Sequence, residues 1–234
     1  MTRLQSEGKC IFCNETFSDK GIGRHLTTHL KKMEKEQPSS NQAFHLKVSA
    51  GEMFLHLLVD GNTKFREIDG FLRAIWLECC GHLSSFQIKK KRYNIRWGGG
   101  GDFGEKMSSK ISTVLEKGMQ IDYRYDFGST TPLDIKVVNV YSLKVKKGVT
   151  LLSRNEPLPI LCDICKQEPA VVICSICIYE EASMFCEDCA KKHEQTCPDF
   201  EDYAASDVVN SPRMGVCGYE GGTIDTERDG VWKK

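Results

Sequence analysis

From Ala43 to about Leu152 the apolar positions change period several times, and each change marks an element. Phe44-His45-Leu46-Lys47-Val48 alternates apolar and polar residues, as a half-buried strand does. Thr63 then stands where a helix N-cap belongs, and Phe65, Ile68, Phe71, Leu72, Ile75, Trp76 and Cys79 recur at helical spacing on one face. That stripe reads as a core face, and Cys79 and Cys80 at its end are expected as buried thiols, because cysteine is among the most buried residue types. Leu83 to Tyr93 predicts a strand, Ile111 to Lys117 a short helix, and Ile121 to Tyr125 a strand by alternation. Leu133 to Leu143, rich in Val and Ile, predicts a further strand. The order predicts an α+β fold with a central antiparallel or mixed sheet and helices on one face, flanked by small zinc-stabilised modules. His45, His56 and His82 lie among apolar residues without a cluster of Cys, Asp or Glu, so each is expected to be structural.

Beyond this region the pattern shortens. Pro169 to Ile173 and Ala182 to Phe185 are brief apolar runs that suggest a small hairpin, and Glu187 to Gln195 is built of helix formers. Placed on these elements, Cys162, Cys165, Cys174, Cys177, Cys186, Cys189, His193 and Cys197 supply three Cys-x-x-Cys pairs and a His-x-x-x-Cys. Structural zinc takes four Cys or His ligands in a tetrahedron, so the stretch holds ligands for two ions. A redox motif needs one such pair in a βαβ setting. Binding could be sequential, first four ligands then last four. Interleaving would instead join Cys162, Cys165, Cys186 and Cys189, leaving Cys174, Cys177, His193 and Cys197. It is the favoured arrangement, because the hairpin carries its end pair back to the start. The spacing resembles B-box and MYND zinc modules, which are interleaved. It is not a RING pattern, since the histidine comes seventh among the ligands.

A second signature lies near the N-terminus. Cys10-x-x-Cys13, Phe17, Ile22, His25 and His29 resemble the Cys-Cys-His-His finger, with a residue lost between Phe17 and Ile22. In fingers that read DNA the base-facing positions would here be Ser18, Gly21 and Arg24, and only Arg24 carries a side chain suited to guanine. Gly21 and Gly23 weaken the helix by about 1 kcal/mol each.

Composition narrows the setting. The 234 residues carry 32 Lys and Arg against 32 Asp and Glu, so no global field draws the chain to nucleic acid or membrane, and any charged partner must meet a local patch. The twelve cysteines come without a signal-peptide pattern or an apolar run of membrane length. A reducing, cytoplasmic setting is therefore expected, with the cysteines as metal ligands. The patch is the run Lys89, Lys90, Lys91, Arg92, Arg96 and Trp97 before four glycines. It fits either phosphate holding with base stacking or a lysine-protected edge strand. No Gly-Lys-Ser/Thr follows, which excludes a P-loop.

Two stretches of the middle region carry a family resemblance. Trp76 to Phe86, reading Trp-Leu-Glu-Cys-Cys-Gly-His-Leu-Ser-Ser-Phe, and Tyr123-Arg124-Tyr125-Asp126-Phe127-Gly128 are similar to signatures of the plasmid pRiA4b Orf-3-like family. The family's early Pro-Pro-x-Trp-Arg-Arg segment is missing. The resemblance implies a fold and no reaction. The other kinase elements that would accompany Asp126-Phe127-Gly128 are absent. Asp199 to Asp207 is expected as a solvated acidic turn, Val208 to Tyr219 could pack back on the module, and Cys217 is expected as a buried thiol.

The predicted organisation is a zinc finger at 1–34, a linker at 35–42, the α+β domain at 43–152, a linker at 153–161, a double zinc module at 162–218 and a disordered tail at 219–234. Three structural zinc ions, an unidentified protein partner, weak nucleic-acid binding and no membrane association are expected. The chain reads as a non-enzymatic adaptor. The competing reading is an enzyme with its site in the middle domain.

Overall fold

The computed structural model describes residues 5–94 and 105–224. The chain falls into two compact units: residues 1–72 with 82–156, and residues 73–81 with 157–234.

The first unit opens with β1 (Glu7–Lys9) and β2 (Thr16–Ser18), an antiparallel hairpin, followed by helix α1 (Asp19–Glu36). Then come β3 (Pro38–Ala50), β4 (Met53–Asp60), helix α2 (Phe65–Leu72), β5 (Ser84–Ile88), β6 (Lys91–Asn94), β7 (Glu105–Lys106), β8 (Gln120–Tyr125), β9 (Thr131–Leu143) and β10 (Val149–Arg154). The last eight strands form one mixed sheet in the order β10-β4-β3-β9-β8-β5-β6-β7, antiparallel throughout except for the β6–β7 pair. The expected α+β fold with a large mixed sheet is thus present.

Four expectations change at the level of elements. β4 was not foreseen, because Met53 to Asp60 is buried at every position and therefore lacks the alternation that marks a half-exposed strand. Leu83 to Tyr93 is a hairpin, β5 and β6, turning at Lys89 and Lys90, with Lys89 in the left-handed region. The helix expected from Ile111 is a single 3₁₀ turn. Thr63 does not cap α2: its hydroxyl donates to the Gly148 carbonyl, while the Lys64 N–H donates to Glu67 across the first turn, half of a capping box.

The N-terminal hairpin and α1 are built into this unit. Ile22, Leu26 and Leu30 repeat every four residues on α1 and are fully buried with Ala43, Phe54, Leu58, Tyr141, Leu143 and Leu152 of the sheet. Lys47 of β3 pairs with Asp19 in the first turn at 2.6 Å, and Glu34 near the end accepts from the Ser142 N–H of β9. Gly23 gives a close approach to the sheet, since a Cβ there would lie 3.2 Å from the His56 ring on β4. Residues 35–42, expected as a linker, hold the last residues of α1 and the start of β3.

The second unit holds a three-stranded antiparallel sheet, β11 (Val172–Cys174) between β12 (Met184–Phe185) and β13 (Ala205–Asp207), with helix α3 (Glu187–Glu194). The expected hairpin and helix are both there. The acidic stretch 199–207 is more than a solvated turn. It forms a π-helical turn, Phe200–Ala204, that buries Phe200 and Ala204 and then adds β13 to the sheet. Residues 208–224 pack on Arg73–Leu77, itself a π-helical turn: Ser211 donates to the Trp76 carbonyl and the Thr223 N–H to that of Ala74. Tyr219 is buried, and residues 225–234 of the expected tail lie outside the described residues.

His45 and His56 form a fully buried pair, Nε2 to Nδ1 at 2.9 Å. Burial lowers the pKa of His45 to about 4 and that of His56 well below its ordinary value, with His45 and Lys47 adding repulsion at His56. Because both folded pKa values lie below the unfolded one, the pair costs nothing above pH 6.5. As pH falls from there toward 4, the unfolded chain takes up protons that the folded chain refuses, and stability declines. The ring resonances of both histidines should therefore stay fixed between pH 7 and pH 5 in an NMR titration. Movement with a midpoint in the ordinary histidine range would contradict this.

Candidate metal centres

Each predicted ligand set is delivered by a tight turn and a helix. In the first unit, the turn after β1 runs through Cys10 and Cys13 with Asn14 in the left-handed region, the Asn14 N–H returning to the Cys10 carbonyl. The Phe12 N–H points at Cys10 Sγ, 3.4 Å away. His25 and His29 stand one turn apart on α1, beside its buried stripe. Their Nε2 atoms lie 3.1 Å apart, and Cys13 Sγ is 3.2 Å from that of His25. Phe17 stacks on His25 at 4.0 Å and Phe12 packs on His29.

In the second unit, eight ligands form the two interleaved groups. Cys162, Cys165, Cys186 and Cys189 make one, and Cys174, Cys177, His193 and Cys197 the other. Cys186 is the N-cap of α3, so Cys186 and Cys189 share its first turn, while His193 and Cys197 sit at its far end. β12 ends just before Cys186 and pairs with β11, which ends on Cys174. The hairpin register therefore forces the third pair back beside the first. Phe185 stacks on His193 at 4.3 Å and Phe200 meets it edge-on at 5.1 Å, holding the ring toward Cys177.

The distances suit a tetrahedral ion. Ligation lengths of about 2.3 Å to sulfur and about 2.05 Å to nitrogen separate two sulfurs by about 3.8 Å, sulfur and nitrogen by about 3.6 Å, and two nitrogens by about 3.3 Å. Cys165 and Cys186 are 3.9 Å apart, Cys174 and Cys197 4.0 Å, and Cys177 Sγ lies 3.7 Å from His193 Nε2. Disulfides need about 2.05 Å, so these are free thiols. Electrostatics also favours a cation. Burial and the neighbouring sulfurs push Cys177 and Cys189 up to about 12. Burial would raise Cys162 as well, but the backbone N–H groups of Cys165, Cys186 and Ile164 outweigh it and bring that thiol down to about 6. Burial lowers the pKa of His193, favouring the neutral ring that binds metals.

The three remaining cysteines correct the sequence reading. Cys79 is half-buried, and Cys80 and Cys217 are exposed. The apolar stripe ends at Leu77, so the two vicinal thiols fall beyond the core face.

The candidate nucleic-acid contacts are partly engaged. Arg24 is exposed on α1. Lys89 and Lys90 form the β5–β6 turn above a cavity of about 510 Å³, lined also by Ile88, Tyr93, Val114 and Met119. Lys91 pairs with Glu105 at 2.9 Å, a hydrogen bond that raises its pKa, and the Arg92 guanidinium lies over the Phe127 ring at 5.9 Å. Arg96 and Trp97 lie outside the described residues.

Among the described residues no helix is long and apolar enough to cross a membrane. No family model matches the chain, and no curated protein does. One solved structure that it matches is a protein of unknown function, MM3350, from Methanosarcina mazei Go1. The match has 19% identity and a TM-score of 0.39, over 48% of this chain and 69% of the other.

Two outcomes follow from the ligand geometry. Cys186→Ser should weaken the centre containing Cys162 and spare the one containing His193, read by cobalt absorption and histidine NMR; loss of the His193 signal instead would reject the grouping. His29→Ala, or chelation, should speed amide exchange in β3 and β4 together with α1, because Ile22, Leu26 and Leu30 are shared core. Exchange confined to residues 5–36 would show a separable finger.

Proposed function

We propose that this chain is a non-enzymatic, cytoplasmic zinc-binding adaptor whose metal is structural. The observation that carries this reading is that each predicted group brings four Cys or His donor atoms within 4.8 Å of one another. A catalytic zinc keeps three protein ligands and an open position, whereas a structural one is closed. Thiolate-rich sets with imidazole favour zinc among the biologically common ions. In this role the ion neutralises converging thiolates and fixes the turn against the helix. The protein's own residues do the binding.

A protein partner is favoured by a groove of about 380 Å³ in the second unit. Val171, Val172, Ala190, Phe200 and Ala205 form its floor, with Glu187, Glu194, Glu201 and Asp207 against the single cation Lys191. An apolar floor with an acidic rim fits a peptide segment carrying apolar side chains flanked by Lys or Arg.

The resemblance to the pRiA4b Orf-3-like family supports a place for the middle region in that fold. Its two motif stretches are neighbours: β5 pairs with β8, the Asp126 N–H donates to the Leu83 carbonyl, and His82 Nε2 lies 3.5 Å from Asp126. The enzyme reading draws on the same place, where buried Asp69 accepts hydrogen bonds from Ser84 and Tyr123. Those partners satisfy the carboxylate, and neither cavity described above is lined by the three residues, which favours a structural network.

Nucleic-acid binding should be weak. With Lys91 and Arg92 engaged, about two phosphate contacts from Lys89 and Lys90 give a log-log salt slope near −2 for a DNA duplex, with dissociation constants above about 10 μM at physiological salt. Fluorescence anisotropy between 50 and 200 mM salt tests this, each value marking about the usual range for such titrations. Lys89→Ala with Lys90→Ala should flatten the slope without changing sequence preference. Tight, sequence-selective binding would overturn the adaptor reading in favour of a DNA reader.

A further inference from the structure

The loop after the Arg73–Leu77 turn and the turns near the end of the second unit meet at three sulfurs. Cys80 Sγ is 3.3 Å from Cys79 Sγ, too far for a disulfide and close to the edge of a metal tetrahedron. Cys217 arrives from the other segment, and the sulfurs of Cys79, Cys80 and Cys217 lie within 4.8 Å of one another.

The convergence is held from both sides. Ser211 donates to the Trp76 carbonyl at 2.6 Å. Arg213, fully buried, points its guanidinium at Cys79 Sγ 3.6 Å away, across 134 residues of sequence. Cys217 itself is held at φ 53°, a left-handed conformation uncommon for a residue with a side chain, within the turns that follow Arg213. Simple core packing does not account for the cluster, since Cys80 and Cys217 are exposed.

We propose that Cys79, Cys80 and Cys217 are the protein ligands of an additional zinc site that fastens the segment around Ser211–Gly218 to the loop after Arg73–Leu77. Its ligands are separate from those of the three centres already described, so it stands or falls independently of the adaptor reading. The donor set, three thiolates, selects a soft divalent ion such as zinc over magnesium or calcium.

The test uses the full chain, purified under reducing conditions, with zinc measured by elemental analysis against protein concentration. The expected content is four zinc ions per chain, falling by one in Cys217→Ala. Cys80→Ala, at an exposed position, is the second variant should Cys217→Ala fold poorly. In the same preparation, Cys186→Ser must still lower the content of its own centre, which separates failure of this site from failure of the others. Unchanged zinc content in both cysteine variants would overturn the proposal, as would a non-reducing peptide map showing Cys217 disulfide-linked to Cys79 or Cys80.

Discussion

Helix α1 has two jobs, and the first unit depends on its doing both at once. One stripe, Ile22, Leu26 and Leu30, fills the core against β3, β9 and β10, while the adjacent His25 and His29 face the Cys10–Cys13 turn. Losing one of these leucines to alanine in such a core typically costs about 2–5 kcal/mol, so the stripe alone is a large fraction of a domain's stability. Because the same turns of helix carry ligands and core residues, a metal at His25 and His29 fixes the position of the stripe as well. The Asp19–Lys47 pair and the Glu34–Ser142 bond hold the two ends of the helix to the sheet. A hairpin and helix anchored this way are a part of the sheet domain, so a metal bound at this group would brace the sheet as well.

The second unit meets a different constraint. Its largest buried cluster has ten members, five of them Cys162, Cys174, Cys186, Cys189 and Cys197, the rest Val172, Phe185, Ala190, Phe200 and Ala204. A core so small and so rich in thiols has little apolar area to offset chain entropy, which is why modules of this size rely on metal. The sulfurs that would repel one another as thiolates are the groups a divalent ion holds together. Phe185 and Phe200 then act on the His193 ring, converting a few aromatic contacts into ligand geometry.

Part of the basic run is engaged on the surface itself. Lys91 and Arg92 read in sequence as part of a basic run, yet one is paired with Glu105 and the other lies over Phe127. The groove of the second unit is lined, by contrast, by Glu187, Glu194, Glu201 and Asp207 against Lys191.

What the sequence by itself determined were the features that repeat locally. Cys-x-x-Cys turns, the His25–His29 and Cys189–His193–Cys197 helical spacings and the alternation in β8 and β9 are all set by neighbours within a few residues. The interleaved grouping was legible too, because a hairpin must return its far pair to its start. Only the tertiary structure decided the rest. β4 is covered on both faces and so shows no period; β13 takes its partner from Val172–Cys174, far back in the chain; Ile75 and Trp76 continue the α2 stripe in spacing but belong to the other unit. Cys79, Cys80 and Cys217 likewise look like core thiols until the turns after Arg213 bring one beside the others. Periodicity reports how a segment is half covered. It carries no information on which distant segment does the covering, or on which distant cysteines that contact brings together.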